Sequence, residues 1–359
     1  MDHLREFGLS RDPFTNDLAE GFYYESPMHR AAERRVLRAV TQHKGLCLLV
    51  GETGLGKSLL ARRVLEDLEE EAYEASLLVI LKSGVDSVWL LTRIARLLGV
   101  EEPADEALAL LGQIYEQLSV FAEEGRRAVL LIDDAHLLMS RDLMEALRAL
   151  VDLEYEERQL LTLILVGDAE LDRAVALDSR LPQRLDVRVC LQALDLSTSS
   201  AYMGHRITVA GGFPSLVEAE ALEVLHRLGQ GLPRRLNVLA DNALFEAHLD
   251  GRTCVTPEDV ERAARDLGLA SLDVRPLADG VPGSAPGGEP IDLTHELEPS
   301  DTGGFGQADP VLGGGIQDDE KPAEAAFFDQ ESPATMVMGV PGDGVDRDVD
   351  DLFDNLIDK

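Results

Sequence analysis

The sequence predicts an α/β core, a five-stranded parallel sheet with helices on both faces, followed by an all-helical part and a long acidic tail. Three observations predict it. Between residue 27 and about residue 190, short all-apolar runs alternate with stretches of helical periodicity, as strands buried on both faces alternate with helices. From 196 to 270 the periodicity is helical only. From Ser271 on there are 21 acidic and 4 basic residues, with 9 of the 16 prolines and 13 of the 31 glycines. Such a stretch buries too little apolar surface to offset its ordering entropy and is expected to stay disordered. The domains so drawn are 1–195, the N-terminal segment and α/β part; 196–270, a helical lid; and 271–359, the tail.

The elements follow in order. Ser26 and Pro27 read as an N-cap and first-turn proline, and Ala32, Val36, Leu37 and Val40 recur at helical spacing until Gly45. Leu46 to Val50 is a short apolar strand, and a helix is expected from Lys57 to about Glu70. A second strand lies near Ser76 to Leu81, and two helices cover about Asp86 to Leu98 and Ala104 to Glu124. Ala128 to Ile132, Leu161 to Val166 and Val187 to Leu191 supply the remaining strands. Lid helices are expected at Ser197 to Ala210, Leu216 to Leu228, Pro233 to Leu249 and Pro257 to Leu267.

The tail holds −17 of the net charge of −34, so the folded part is acidic in its own right. A surface of that sign argues against autonomous, sequence-independent nucleic-acid binding and makes basic protein partners the better expectation. Cys47, Cys190 and Cys254 are far apart and read as reduced, buried and inert. His29, His136, His205, His226 and His248 show no metal-ligand spacing and read as structural or surface residues. The N-terminus has no apolar leader and the chain no run of about 18 apolar residues, so a cytoplasmic protein without membrane insertion is expected.

Gly51-Glu52-Thr53-Gly54-Leu55-Gly56-Lys57-Ser58 fits G-x-x-x-x-G-K-S between an apolar strand and a helix, the context that a phosphate-binding loop requires. Its glycines let the backbone N–H groups face inward, Lys57 reaches the terminal phosphates of ATP, and Ser58 offers a hydroxyl to Mg²⁺. The strand Val129 to Ile132 then delivers Asp133 and Asp134 at its C-terminal end, where ligands of parallel sheets bind. Asp133 is the candidate to hold Mg²⁺, directly or through water, and Asp134 the candidate to polarise the attacking water. Phe14, Tyr23 and Tyr24 precede the first helix and are read as anchors to the core before any role against the base.

With these motifs the chain resembles the AAA+ ATPases of the general secretion pathway A type, a group that also takes in pilus-biogenesis and transposition helper ATPases. Phe7-Gly8-Leu9, Pro13-Phe14, Tyr24 to His29, the phosphate loop, Asp133 to His136, Gly167 to Leu171, Leu181 to Arg184, Tyr202 to Arg206 with Ala210-Gly211, and Gly231 to Asn237 carry the resemblance over residues 5 to 267. It implies a homo-oligomer with ATP sites at subunit interfaces. It gives Arg234 the sensor 2 position on the subunit's own nucleotide and makes Arg184 the arginine finger for the neighbour's, with Arg180 in reserve. Asp168 stands where the family commonly has Gln as sensor 1, and Asp134 where it usually has Glu, which points to slower hydrolysis. Larger relatives continue into a membrane-spanning helix and a peptidoglycan-binding part, and the sequence leads us to expect neither here.

In the tail, Leu352, Phe353, Leu356 and Ile357 fall on one face of a short helix within 348–359, a candidate for docking on a protein partner or on the ATPase itself. Phe327-Phe328 and Met336 to Val340 are two further apolar islands. The function expected is an ATP-hydrolysing protein that oligomerises and remodels or positions a protein machine of secretion or pilus type. A DNA-linked transposition helper and a nucleotide-gated scaffold that barely hydrolyses ATP stand as alternatives.

Overall fold

The computed structural model describes residues 2–16 and 21–269; the expectations made for the tail lie outside the described residues. After a short helix α1 (Asp2–Glu6), α2 (Pro27–Thr41) begins where Ser26 caps it and Pro27 occupies the first turn. There follow β1 (Leu46–Val50), α3 (Lys57–Glu66), β2 (Tyr73–Val79), α4 (Ser87–Leu97), α5 (Ala107–Glu123) and β3 (Arg127–Asp133). Next come α6 (Arg141–Val151), a small hairpin of β4 (Glu154–Tyr155) and β5 (Arg158–Gln159), β6 (Leu161–Gly167), α7 (Ala169–Leu177), α8 (Leu181–Arg184) and β7 (Leu185–Cys190). The helical part is α9 (Leu196–Val209), α10 (Ala219–Gly229), α11 (Pro233–Leu249) and α12 (Pro257–Asp266).

The five long strands form one parallel sheet in the order β2-β3-β6-β1-β7. Alternation along the central strands feeds two separate cores. Leu46, Leu48 and Val50 of β1, Leu130 and Ile132 of β3, and Leu163 and Leu165 of β6 pack against α4, α5 and α6. Cys47 and Leu49, Val129 and Leu131, and Ile164 and Val166 face the other way, against α2 and α3. Parallel strands covered on both faces must be apolar throughout, which is why β1 and β6 read as unbroken apolar runs.

Four expectations need correcting. The helix after the phosphate loop ends at Glu66 rather than near Glu70. Helices α6 and α7 and the β4–β5 hairpin were not foreseen. Cys190 is exposed, because β7 is an edge strand whose alternate residues Asp186, Arg188 and Cys190 face solvent; Cys47 is buried and Cys254 half-buried. Finally, the N-terminal segment, grouped by sequence with the α/β part, buries Leu4, Leu9, Phe14 and Phe22 in the core of the helical lid. Arg206 of α9 locks it there. Its buried guanidinium donates to the carbonyls of Pro13 (2.6 Å) and Thr15 (2.5 Å) and stands over the Phe22 ring. Phe14 is thus an anchor, as is Tyr24, whose ring meets those of Tyr202 and His205. Among the described residues no helix is long and apolar enough to cross a membrane.

Candidate nucleotide site

The C-terminal edge of the sheet gathers the site. Gly51 follows β1, and its N–H donates to the carbonyl of Gly167 at the end of β6 (3.3 Å), so the loop starts from two paired strands. Gly54 and Gly56 have φ of +91° and +87°, the left-handed region that favours glycine. At Gly54 a Cβ would also come within 2.9 Å of Cβ of Arg234, so a side chain there is excluded twice. The Lys57 ammonium, nearly buried, donates to the carbonyls of Gly51 (2.9 Å) and Glu52 (3.1 Å), arching back over the loop. Burial pushes its pKa below the ordinary lysine range, against the opposing pull of Asp133, Asp134, Asp168 and Glu52. Four carboxylates from three parts of the sequence, the loop, the end of β3 and the start of α7, therefore act on one ammonium.

Asp133 is the last residue of β3 and is buried; its Oδ1 accepts from the Asp134 N–H at 2.9 Å. Asp134 has φ of +53°, a conformation that aspartate tolerates better than most residues and that turns its side chain away from the strand's alternation. Burial and the neighbouring Asp133 charge raise its carboxyl pKa, while His136, 3.9 Å away, and Lys57 pull it down. A carboxylate whose proton affinity is raised is suited to accepting a proton. Asp168 is the N-cap of α7, its Oδ1 accepting from the Glu170 N–H at 2.8 Å, a local reason for a short acidic side chain at that position.

The lid reaches the same place. Helix α11 opens on Pro233, and the N–H of Arg234 donates to the carbonyl of Gly54 (3.3 Å), seating the helix start on the loop. The Arg234 side chain runs along Gly54. Its neighbour Arg235, which sequence reasoning passed over, lies 3.7 Å from Glu52 of the loop. The doubled arginine was the available signal.

Arg184 stands apart from this cluster. Leu185, the next residue, pairs with Leu46 at the start of β1, whereas the loop follows Val50. At about 3.3 Å per residue, Arg184 is about 15 Å of strand away from its own loop. Its guanidinium pairs with Asp152 at 2.8 Å and with Glu154 at 3.9 Å on the surface. Arg180 is exposed and lines a surface hollow with Glu145, Arg148 and Asp152.

The site's chemistry fits a nucleoside triphosphate with a divalent cation. The glycine cradle and a near-buried ammonium suit phosphate oxygens, and Ser58 and Asp133 suit a hard cation that keeps most of its ligands from water and phosphate. No cluster of three or more His, Cys, Asp or Glu residues able to hold a metal by itself occurs among the described residues.

Residues 39–175 match the AAA domain family. Over 265 residues the chain is 33% identical to general secretion pathway protein A of Aeromonas hydrophila, a match covering 73% of this chain and 48% of that protein. The chain thus spans about half the length of that relative. Among solved structures, Cdc6p from Pyrobaculum aerophilum matches with a TM-score of 0.57 at 16% identity, over 72% of this chain and 71% of that one. The ORC2 protein of Aeropyrum pernix, solved as ADPNP–ADP complexes, matches with a TM-score of 0.53 at 18% identity, over 72% of each chain. Identities this low speak for the fold.

Proposed function

We infer that this chain, an AAA+ protein related to general secretion pathway protein A, binds Mg-ATP at Gly51 to Ser58 and hydrolyses it to drive a change of shape in an oligomer. The observation that carries this reading is the seating of α11 on the phosphate loop through Arg234 N–H and Gly54 carbonyl. Whatever changes at the terminal phosphate acts on the residue that sets the angle of the lid. The guanidinium of Arg234, with its fixed charge and planar fork, suits contact with the phosphates of its own subunit's nucleotide.

In the proposed reaction, the loop N–H groups and Lys57 hold the phosphates in place and neutralise their charge. Ser58 and Asp133 would hold Mg²⁺, which when bound offsets charge on the β- and γ-phosphate oxygens. Asp134 orients the attacking water and takes its proton; its raised pKa supports that assignment. Asp168, assigned as sensor 1, caps α7 and adds its charge to the same cluster. Arg184, out of reach of its own loop, is assigned to the loop of a neighbouring subunit, which makes the active unit a homo-oligomer. The partner we assign is a protein machine of the kind served by secretion ATPases, engaged through the acidic tail. An acidic folded part disfavours nucleic acid in that role.

The test is sizing of the purified chain without nucleotide, with ADP and with ATP, with phosphate release followed in the same samples. Larger species with ATP, accompanied by phosphate release, are expected. Assembly without release would leave a nucleotide-gated scaffold. A chain that stays the same size and binds no ATP would overturn the reading.

A further inference from the structure

One buried histidine faces the phosphate loop from behind. His29, in the first turn of α2, is only 6% exposed, and both ring nitrogens are engaged. Nε2 lies 2.8 Å from the Leu55 carbonyl, and Nδ1 lies 2.7 Å from the Ser26 hydroxyl. A carbonyl can only accept, so Nε2 must carry the hydrogen, and Nδ1 then accepts from Ser26. Ser26, fully buried, in turn accepts from the His29 backbone N–H as the cap of α2. Cap hydroxyl, imidazole and loop carbonyl form one relay with a single consistent placement of hydrogens. Burial lowers the pKa of His29, in keeping with a neutral ring.

We propose that His29 is a positioning residue for phosphate binding: its Nε2–H holds the Leu55 carbonyl toward α2 and so turns the Gly56 N–H toward the phosphates. The step from carbonyl to N–H follows from the peptide group. Every peptide in the described chain is trans, so the Leu55 C=O and the Gly56 N–H, which share one plane, point in opposite directions. Gly56 has φ of +87°, and glycine's freedom leaves that plane easy to rotate unless something pins it. His29 is placed to pin it, since a Cβ on Gly56 would come within 3.3 Å of Nε2. The inference rests on the nucleotide site proposed above and adds to it a residue outside the loop.

The experiment compares ATP and ADP affinity of the full chain with His29→Leu, His29→Gln and Ser26→Ala, with unfolding midpoints alongside. Leucine fills the space without a donor, and affinity for both nucleotides is expected to fall about tenfold. Glutamine places an N–H near the same point and is expected to stay within about threefold of the parent chain. Ser26→Ala frees the tautomer and should lie between them. Nitrogen-15 shifts of labelled His29 should show the hydrogen on Nε2. A folded His29→Leu chain that binds ATP like the parent, a glutamine variant as weak as the leucine one, or a hydrogen on Nδ1 would each overturn the role. Those outcomes leave the nucleotide site standing. If the parent chain binds neither nucleotide, the site and this inference fall together.

Discussion

The two ends of the β1–β7 strand pair make an instructive contrast. At the C-terminal end, the loop, Lys57, Asp133, Asp134 and the start of α11 converge from one chain, the groups to which we assign the phosphates. At the N-terminal end stands Arg184, paired with Asp152 and Glu154, with no phosphate loop of its own within about 15 Å. A cation held by two acidic neighbours on a surface is a weak contributor to stability. Under the proposed function it is one half of a site whose other half is the loop of a second copy. The comparison teaches that binding should depend on one chain and turnover on two.

The largest expected effect breaks the first half. Lys57→Ala removes the ammonium that arches over the loop under the pull of four carboxylates, and ATP affinity should drop more than about a hundredfold, measured by titration calorimetry. Asp134→Asn should leave affinity nearly unchanged while lowering turnover by about 10²- to 10⁴-fold. In the parent chain kcat/KM should fall as pH drops through the pKa of Asp134. That pKa is raised by burial and by Asp133, partly offset by His136 and Lys57, so this acid limb should lie above the usual aspartate range. The asparagine variant should lack the limb. An unchanged acid limb in Asp134→Asn would assign the base elsewhere.

The second half is tested by mixing. Arg184→Ala should keep its affinity for ATP and lose about a hundredfold in turnover, within what a trans arginine supplies. Combined with Lys57→Ala subunits, it should recover part of the activity, since the mixed interface pairs an intact loop with an intact arginine. If mixed oligomers form and nothing is recovered, Arg184 is not the finger, and Arg180, exposed four residues earlier, is the next to substitute.

Legibility followed the same contrast. The loop end was readable because each residue there sits at a strand or helix terminus that the apolar pattern marks; Leu46–Val50 and Pro233–Leu249 coincide with their predicted spans. Helix α6 was also legible, with Ser140 as cap and Leu143, Met144, Leu147 and Leu150 on its buried face, and was passed over. The β4–β5 hairpin was not legible: Glu156 and Glu157 hold positive φ where Asn or Gly would have signalled a turn. Docking of the N-terminal segment on the lid depends on contacts such as Ser10 with Ala210, 200 residues apart, which no local pattern encodes. In the sequence His29 reads as a structural or surface histidine closing the Tyr24 to His29 stretch; only the fold brings it to Leu55.

The smallest effect sharpens the contrast from inside the loop. Arg235 and Glu52 join lid and loop through charge, yet at 3.7 Å between partly exposed side chains the pair is worth only about 0.2 to 1 kcal/mol. Arg235→Ala should therefore change ATP affinity by about twofold, and the change should fade in high salt. The contact between Arg234 N–H and the Gly54 carbonyl is backbone and survives that substitution, so lid seating should persist. A much larger loss for Arg235→Ala would mean that the second arginine, rather than Arg234, reads the phosphate, and the sensor assignment would move by one residue.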